Sequence, residues 1–219
     1  YGYTKKVWNK EPSLLPSSII KRLPYKSYHC GRHYPDTDIY EGVPIGGYTQ
    51  IFEKMLEKSD VVFNTDFFNH KDFLETLAAK VVYTGSLDQY FNYKYGKLEF
   101  RSLRYQIERH DGDYQGHAQI NYTDEDVPWV RIIEHKHFEF KAHLPYTYIS
   151  KEYPARYDGS NLPYYPINDE VNNALHKKYL QEAQSLPNLI VGGRLGEYRY
   201  QDMDVVLASA LHTVQQELS

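Results

Sequence analysis

Between residues 60 and 151 the chain repeats one pattern: short runs rich in β-branched and aromatic residues, each closed by a polar or glycine-containing turn. The runs occupy 61–63, 80–83, 98–109, 116–122, 130–140 and 146–150, with clusters such as His110-Asp111-Gly112-Asp113 between them. Links of this kind join antiparallel neighbours, because a parallel pair needs a crossover of a dozen or more residues. An antiparallel sheet is therefore predicted. Helical spacing brackets it. Ile51, Met55 and Leu56 mark a helix in 49–58 after the Gly46-Gly47 turn, Val171, Leu175, Tyr179 and Ala183 mark one in 168–186, and Leu207, Leu211, Val214 and Leu218 mark a terminal helix. Leu189-Ile190-Val191 reads as a short buried strand ending at Gly192-Gly193, and Pro12 and Pro16 impose an irregular connection over 9–18. The expected class is α/β of the α+β kind: an antiparallel β-sheet with flanking helices.

A chain of 219 residues that is 41% hydrophobic and 25% charged can build one substantial core or two small ones. No run approaches the roughly 18 apolar residues of a membrane helix and no signal segment opens the chain, so a cytoplasmic protein without membrane insertion is expected. The single cysteine, Cys30, forms no internal disulfide. A formal net charge of −4 argues against a general nucleic-acid surface, so any phosphate ligand must be held by a few placed arginines. The 23 tyrosines suit such a ligand: each offers a ring for stacking and a hydroxyl for phosphate or sugar oxygens. The chain opens on Tyr1, in what reads as an element already under way, and is expected to be a piece of a longer protein.

No G-x-G-x-x-G, G-x-x-x-x-G-K, G-x-S-x-G or H-E-x-x-H signature is present. Three stretches carry the chemistry instead. In 131–140, a continuous strand would place Arg131, Ile133, His135, His137 and Glu139 on one face. That face can be read as a hydrogen-bonded wall beside a ligand, as a solvated sheet face, or as an incomplete metal site built on His135 and His137. In 192–203, three glycines and the start of a helix permit close backbone approach to an anionic cofactor, or form a plain turn. In Pro163-Tyr164-Tyr165-Pro166, two prolines stiffen an extended pair of tyrosines.

Together with other segments these stretches resemble the UDP-galactopyranose mutase family of the bacterial type. The matching pieces, in the family's order, are Gly2-Tyr3-Thr4 on to Trp8, Ile19-Ile20-Lys21-Arg22-Leu23-Pro24, Gly42-Val43-Pro44-Ile45-Gly46-Gly47-Tyr48, Tyr83-Thr84-Gly85 with Asp88 and Phe91, and Arg101-Ser102-Leu103-Arg104. They continue with Ile132-Ile133-Glu134-His135-Lys136-His137-Phe138, Glu152-Tyr153-Pro154, 163–168 and 192–203. The resemblance implies interconversion of UDP-galactopyranose and UDP-galactofuranose through a sugar adduct at N5 of reduced FAD. It further implies that the 219 residues form the carboxyl-terminal portion of such an enzyme, without the Rossmann-like unit that grips the ADP half of FAD. A piece that folds without turning over is the alternative. The implied parts are the remainder of a helical substrate domain with its lid (1–59), an antiparallel sheet domain (60–151) and a segment returning to the flavin (152–219).

By motif, the resemblance assigns Arg22 and Arg131 to the substrate pyrophosphate as catalytic residues. It assigns Tyr34, Tyr165 and Tyr200 to phosphate binding, Tyr3 and Trp8 to the uridine and the lid, and Arg194, Asp202 and Met203 to the flavin end. Tyr164 joins the substrate wall beside Tyr165. The expected ligands are FAD and UDP-galactose; a homo-oligomer is also expected, and a resident metal is not.

Overall fold

The computed structural model describes residues 2–9, 11–14, 42–139 and 141–219. In chain order its helices are α1 (Gly2–Trp8), α2 (Thr49–Met55), α3 (Lys71–Leu74), α4 (Leu87–Tyr90), α5 (Glu170–Gln184), α6 (Gly193–Gly196) and α7 (Met203–Leu218). Its strands are β1 (Val81–Tyr83), β2 (Phe100–Asp111), β3 (Gln119–Asn121), β4 (Arg131–Glu134), β5 (Tyr146–Arg156), β6 (Tyr165–Pro166) and β7 (Leu189–Val191). The fold is the mixed class expected, an antiparallel sheet with flanking helices. Contacts divide the chain into two compact units, Tyr1–Val61 with Arg104–Pro154, and Val62–Leu103 with Ala155–Ser219.

In the first unit the strands run in the order β3-β4-β5-β2. Antiparallel register sets Asn121 opposite Arg131 and Arg131 opposite Glu152, so one cross-strand row carries an amide, a guanidinium and a carboxylate. The alternate residues of β4, Ile132 and Glu134, turn inward with Val130 and Ile149. Glu134 is fully buried, and its carboxylate accepts backbone N–H bonds from Tyr114, Gln115 and Gly116 at 2.8–3.0 Å. Burial would raise its pKa, but these bonds to the charged form outweigh burial and the value lies below the ordinary carboxylate range. Beyond Glu134 the chain turns into a 3-10 helix over His135–His137, so the single face expected for 131–140 does not exist.

Helix α1 ends at Asn9, whose φ of 51° is the left-handed conformation that caps helices, and whose N–H donates to the Lys5 carbonyl. Helix α2 forms where its spacing predicted, yet none of its residues is buried.

The second unit is built around Tyr83, Leu87, Tyr90, Leu98, Phe100, Tyr179, Ala183 and Tyr198. Rings meet in tilted and edge-on contacts, such as Tyr83 with Tyr90 at 4.9 Å and Phe100 with Tyr198 at 5.2 Å. Each buried hydroxyl has a partner: Tyr179 donates to the Gly96 carbonyl and Tyr198 to the Glu99 carbonyl. Asp169 starts α5 by accepting the Asn172 N–H at 3.0 Å. The start of β2 pairs antiparallel with β6, Phe100 opposite Pro166 and Arg101 opposite Tyr165.

Three expectations change here. The run at 80–83 joins no antiparallel meander: β1 pairs in parallel with the distant β7, Val81 opposite Leu189. That pair is partly exposed rather than buried, with Val82 64% accessible. Residues 61–63 form no strand.

Candidate functional site

In the first unit the cross-strand row becomes a cluster because α1 adds a fourth member. Arg131 Nε donates to Asn121 Oδ1 at 3.0 Å, Nη2 donates to the Tyr3 hydroxyl at 3.1 Å, and Nη1 lies 3.5 Å from Glu152 Oε2. Glu152 is 5% exposed, and burial lifts its carboxyl above the usual range while the adjacent Arg131 pulls the other way. The partners fix the plane of the guanidinium, and a fixed plane is what bidentate recognition of a phosphate or carboxylate requires. Trp8, on the same helix as Tyr3, is buried. The sequence singled out Arg131, Tyr3 and Trp8; Glu152 and Asn121 were given no role, because only the strand register brings them to the guanidinium.

In the second unit the glycine-rich stretch delivers a second arginine. Gly192 leads from β7 into α6, and Gly193 adopts φ 72°, where a Cβ would press on the Thr84 side chain at 3.3 Å. Arg194 then lies over two rings, its guanidinium carbon 4.2 Å from the centroid of Tyr200 and 5.4 Å from that of Tyr165. Those rings are 5.3 Å apart, and Tyr164 adjoins Tyr165 at 6.3 Å with its N–H donating to the Arg101 carbonyl. Arg194 Nε and Nη2 are buried and have no hydrogen-bond partner among the described residues. Guanidinium donors withdrawn from water without acceptors are costly, and an anionic oxygen would satisfy them. Asp202 is the exposed residue from which α7 starts, and Met203 is that helix's first residue, also exposed. Tyr164, Tyr165, Arg194 and Tyr200 are thus gathered in this unit, as Tyr3 and Arg131 are in the other. Arg22 and Tyr34 lie outside the described residues.

The histidine stretch is rearranged. His135 is hydrogen-bonded to Ser150 Oγ at 2.7 Å, while His137 Nε2 lies 3.5 Å from Asp113 and 3.6 Å from Glu134. Asp113, Glu134 and His137 come close enough to share an ion, and His135 does not join them. The Lys136 ammonium already stands 2.5 Å from Asp113 and donates to the carbonyls of Gly112 and Leu144, so a cation of the chain's own serves this carboxylate.

The family model for UDP-galactopyranose mutase matches residues 1–200, and the chain belongs to that family. Among curated proteins it is 39% identical to a probable UDP-galactopyranose mutase of Klebsiella pneumoniae, the match taking in all of this chain and 56% of the relative. It is 33% identical to a dTDP-fucopyranose mutase of Escherichia coli, over 98% of this chain and 58% of the relative. To the UDP-galactopyranose mutase of Mycoplasma genitalium the identity is 32%, over 99% of this chain and 57% of that protein. The chain therefore spans somewhat more than half the length of these relatives. Among the described residues, no helix is long and apolar enough to cross a membrane.

Proposed function

We propose that the protein carrying this chain is a nucleotide-sugar mutase that interconverts UDP-galactopyranose and UDP-galactofuranose. The observation that carries the reading is an arginine prepared for an anion in each unit: Arg131 with its plane fixed by Asn121, Tyr3 and Glu152, and Arg194 with buried donors that lack acceptors among the described residues. A diphosphate leaving group calls for such donors, because the negative charge it gains must be met by groups already in place. In this reading Arg131 and Arg22 hold the pyrophosphate, with hydroxyls from Tyr34, Tyr165 and Tyr200. Tyr3, Trp8 and Tyr164 line the path of the nucleotide, and Arg194, Asp202 and Met203 hold FAD. When bound and reduced, FAD supplies the electron-rich ring nitrogen that replaces a protein nucleophile, consistent with a chain in which no nucleophile and base stand in a recognised motif. The orphaned donors of Arg194 fit an anionic or carbonyl-bearing cofactor edge. Cytoplasmic placement and a homo-oligomer belong to the same reading.

In the full-length protein, Arg131→Ala should lower turnover by about 10²–10³, or about 2.7–4 kcal/mol, through lost stabilisation of the departing diphosphate. Far-UV circular dichroism should be unchanged, and turnover should depend on reduction with dithionite. Wild-type rates in Arg131→Ala would overturn the assignment, and equal rates with oxidised and reduced flavin would overturn the reaction.

A second reading concerns the 219 residues on their own. They hold no glycine-rich dinucleotide loop, and the last helix leaves its apolar residues uncovered. Expressed alone, this chain is expected to bind FAD weakly and to turn nothing over. Titration of FAD followed by flavin fluorescence checks this, and tight stoichiometric binding with product formation would refute it.

A further inference from the structure

Lys6 in the first unit has a fully partnered ammonium, and nothing in the reaction as proposed uses it. Its Nζ donates to the carbonyl oxygens of Tyr122 at 3.0 Å, Asp124 at 3.0 Å and Trp129 at 2.8 Å. An ammonium has three protons, and here all three are directed at backbone acceptors of one turn, the link between β3 and β4. The location of those acceptors matters more than their number. Tyr122 follows Asn121, whose amide oxygen holds Arg131 Nε, and Trp129 precedes Arg131 by two residues. Tyr3, whose hydroxyl holds Arg131 Nη2, is three residues before Lys6 and therefore on the same face of α1. The same turn is approached at the other end of the helix, where a Cβ on Gly2 would overlap the Thr123 carbonyl oxygen.

The groups that orient the Arg131 guanidinium thus include Asn121 on β3 and Tyr3 on α1, on separate elements, beside Glu152 on β5. Lys6 ties α1 to the turn that follows β3. The neighbouring Lys5 also reaches the turn, at 3.4 Å from Glu125, but both partners are well exposed and such a pair contributes little. Burial lowers the Lys6 pKa from the ordinary lysine value, opposed by Asp124 and Asp126, as befits an ammonium inserted among carbonyls.

We infer that Lys6 is a positioning residue for the anion site: by clasping the turn 122–129 it sets α1 so that the Tyr3 hydroxyl fixes the Arg131 guanidinium in the orientation that receives the substrate diphosphate. The inference rests on the reading of Arg131 as a diphosphate ligand.

The test uses the full-length protein with UDP as probe, binding being followed by calorimetry. Lys6→Met keeps the aliphatic stem and removes the three donors; it should raise the UDP dissociation constant by about tenfold, the shift expected when one charge-assisted contact is misaligned. Lys6→Arg, which can still donate to at least two of the carbonyls, should restore most of the affinity. In a Tyr3→Phe background the link to Arg131 is already cut, so Lys6→Met should then change UDP affinity by less than about threefold. A purely structural lysine would lower the melting temperature of Lys6→Met and leave the UDP dissociation constant of the folded protein unchanged, and that result overturns the inference. The same penalty with and without Tyr3→Phe also overturns it, since the effect would not pass through Tyr3. Should Lys6→Met fail to fold, Lys6→Gln retains two of the three donors, on a shorter stem, and is read by the same comparison. Arg131→Ala, measured alongside, separates the two ideas. If it leaves UDP affinity intact, the reading of the site fails and this inference with it; if it weakens UDP while Lys6→Met does not, only the role of Lys6 fails.

Discussion

Helices α5 and α7 have nearly equal length, 15 and 16 residues, and opposite relations to the core. The more polar α5 buries Asn172, His176, Tyr179 and Ala183, a stripe at helical spacing. The apolar α7 presents Met203, Val205, Leu207, Leu211, Val214 and Leu218, and buries none of its residues. What attaches α7 is polar: Ser209 Oγ donates to Glu197 at 2.8 Å, and Lys80 pairs with Glu217. A hydrophobic stripe is thus not itself a core. It becomes one only where other elements supply a surface of matching shape, and α5 has that surface in Tyr95, Gly96 and the ring of Phe91, whereas α7 has no counterpart among the described residues.

The strongest way to break this contrast is to truncate one side chain from each helix. Tyr179 is fully buried, its hydroxyl bonded to the Gly96 carbonyl at 2.6 Å and its ring stacked on Phe91 at 6.0 Å. Tyr179→Ala should destabilise the protein by about 3–5 kcal/mol, from lost burial, the cavity left behind and the freed carbonyl. Leu211, 65% exposed, should lose no more than about 0.5 kcal/mol on substitution by Ala. Urea denaturation of both variants decides it. A cost above about 2 kcal/mol for Leu211→Ala would mean that α7 is covered in solution.

The same contrast shows which parts of the molecule are legible in its sequence. Spacing located both helices and picked out Tyr179 and Ala183, but it also included Val171, which lies in the first turn of α5 and is 77% exposed. Periodicity reports a stripe and not its partner. The run 131–140 failed for a different reason: nothing in its alternation reveals that Glu134 will collect three N–H groups of another loop or that the chain will turn into a 3-10 helix at His135. The parallel pairing of β1 with β7 was invisible because three-residue strands far apart in sequence carry no local signal of each other. In the candidate site, one short glycine-rich stretch flagged the region of Arg194 and Tyr200, and the family resemblance singled out the two residues. The setting of Arg131 needed the register of β3, β4 and β5, and nothing local in the sequence marks Lys6, whose three carbonyls lie more than a hundred residues away.

A smaller effect should appear in association. Exposed apolar residues spaced along α7 form the kind of patch that soluble proteins seldom leave uncovered, so the 219-residue chain is expected to self-associate through that helix. Replacing Leu207 and Leu211 together by Lys should weaken association by about tenfold or more, since each leucine withdrawn from water contributes about 1.5–3 kcal/mol. Sedimentation velocity across a concentration series reads this directly. Identical sedimentation of the double variant and the parent chain would place the contact elsewhere or deny it.

The smallest expected effect concerns acid, and it again separates the two helices. His176 on α5 is buried, with Nε2 at 2.9 Å from the Gly196 carbonyl, an arrangement in which the neutral ring donates its one N–H to the acceptor. Burial lowers its pKa below the ordinary imidazole value; the Gly196 bond opposes this, the charge of Arg199 adds to it, and the Asp88 carboxylate opposes it. In the unfolded chain the ring takes up a proton near pH 6.5, before the folded ring does. The unfolded state then holds more protons, so stability rises with pH through that window. The contribution is complete above about pH 6.5 and is lost as pH falls through the depressed folded value. Urea midpoints measured between pH 5 and pH 7.5 should therefore fall on acidification more steeply in the wild type than in His176→Gln, whose amide can still donate to Gly196 but does not titrate. The replacement should lower stability slightly at neutral pH through imperfect packing, and part of that gap should close as the pH falls. Parallel pH profiles for the two proteins would show that His176 is not held neutral by its surroundings, and would remove the packing of α5 against α6 as a source of acid sensitivity.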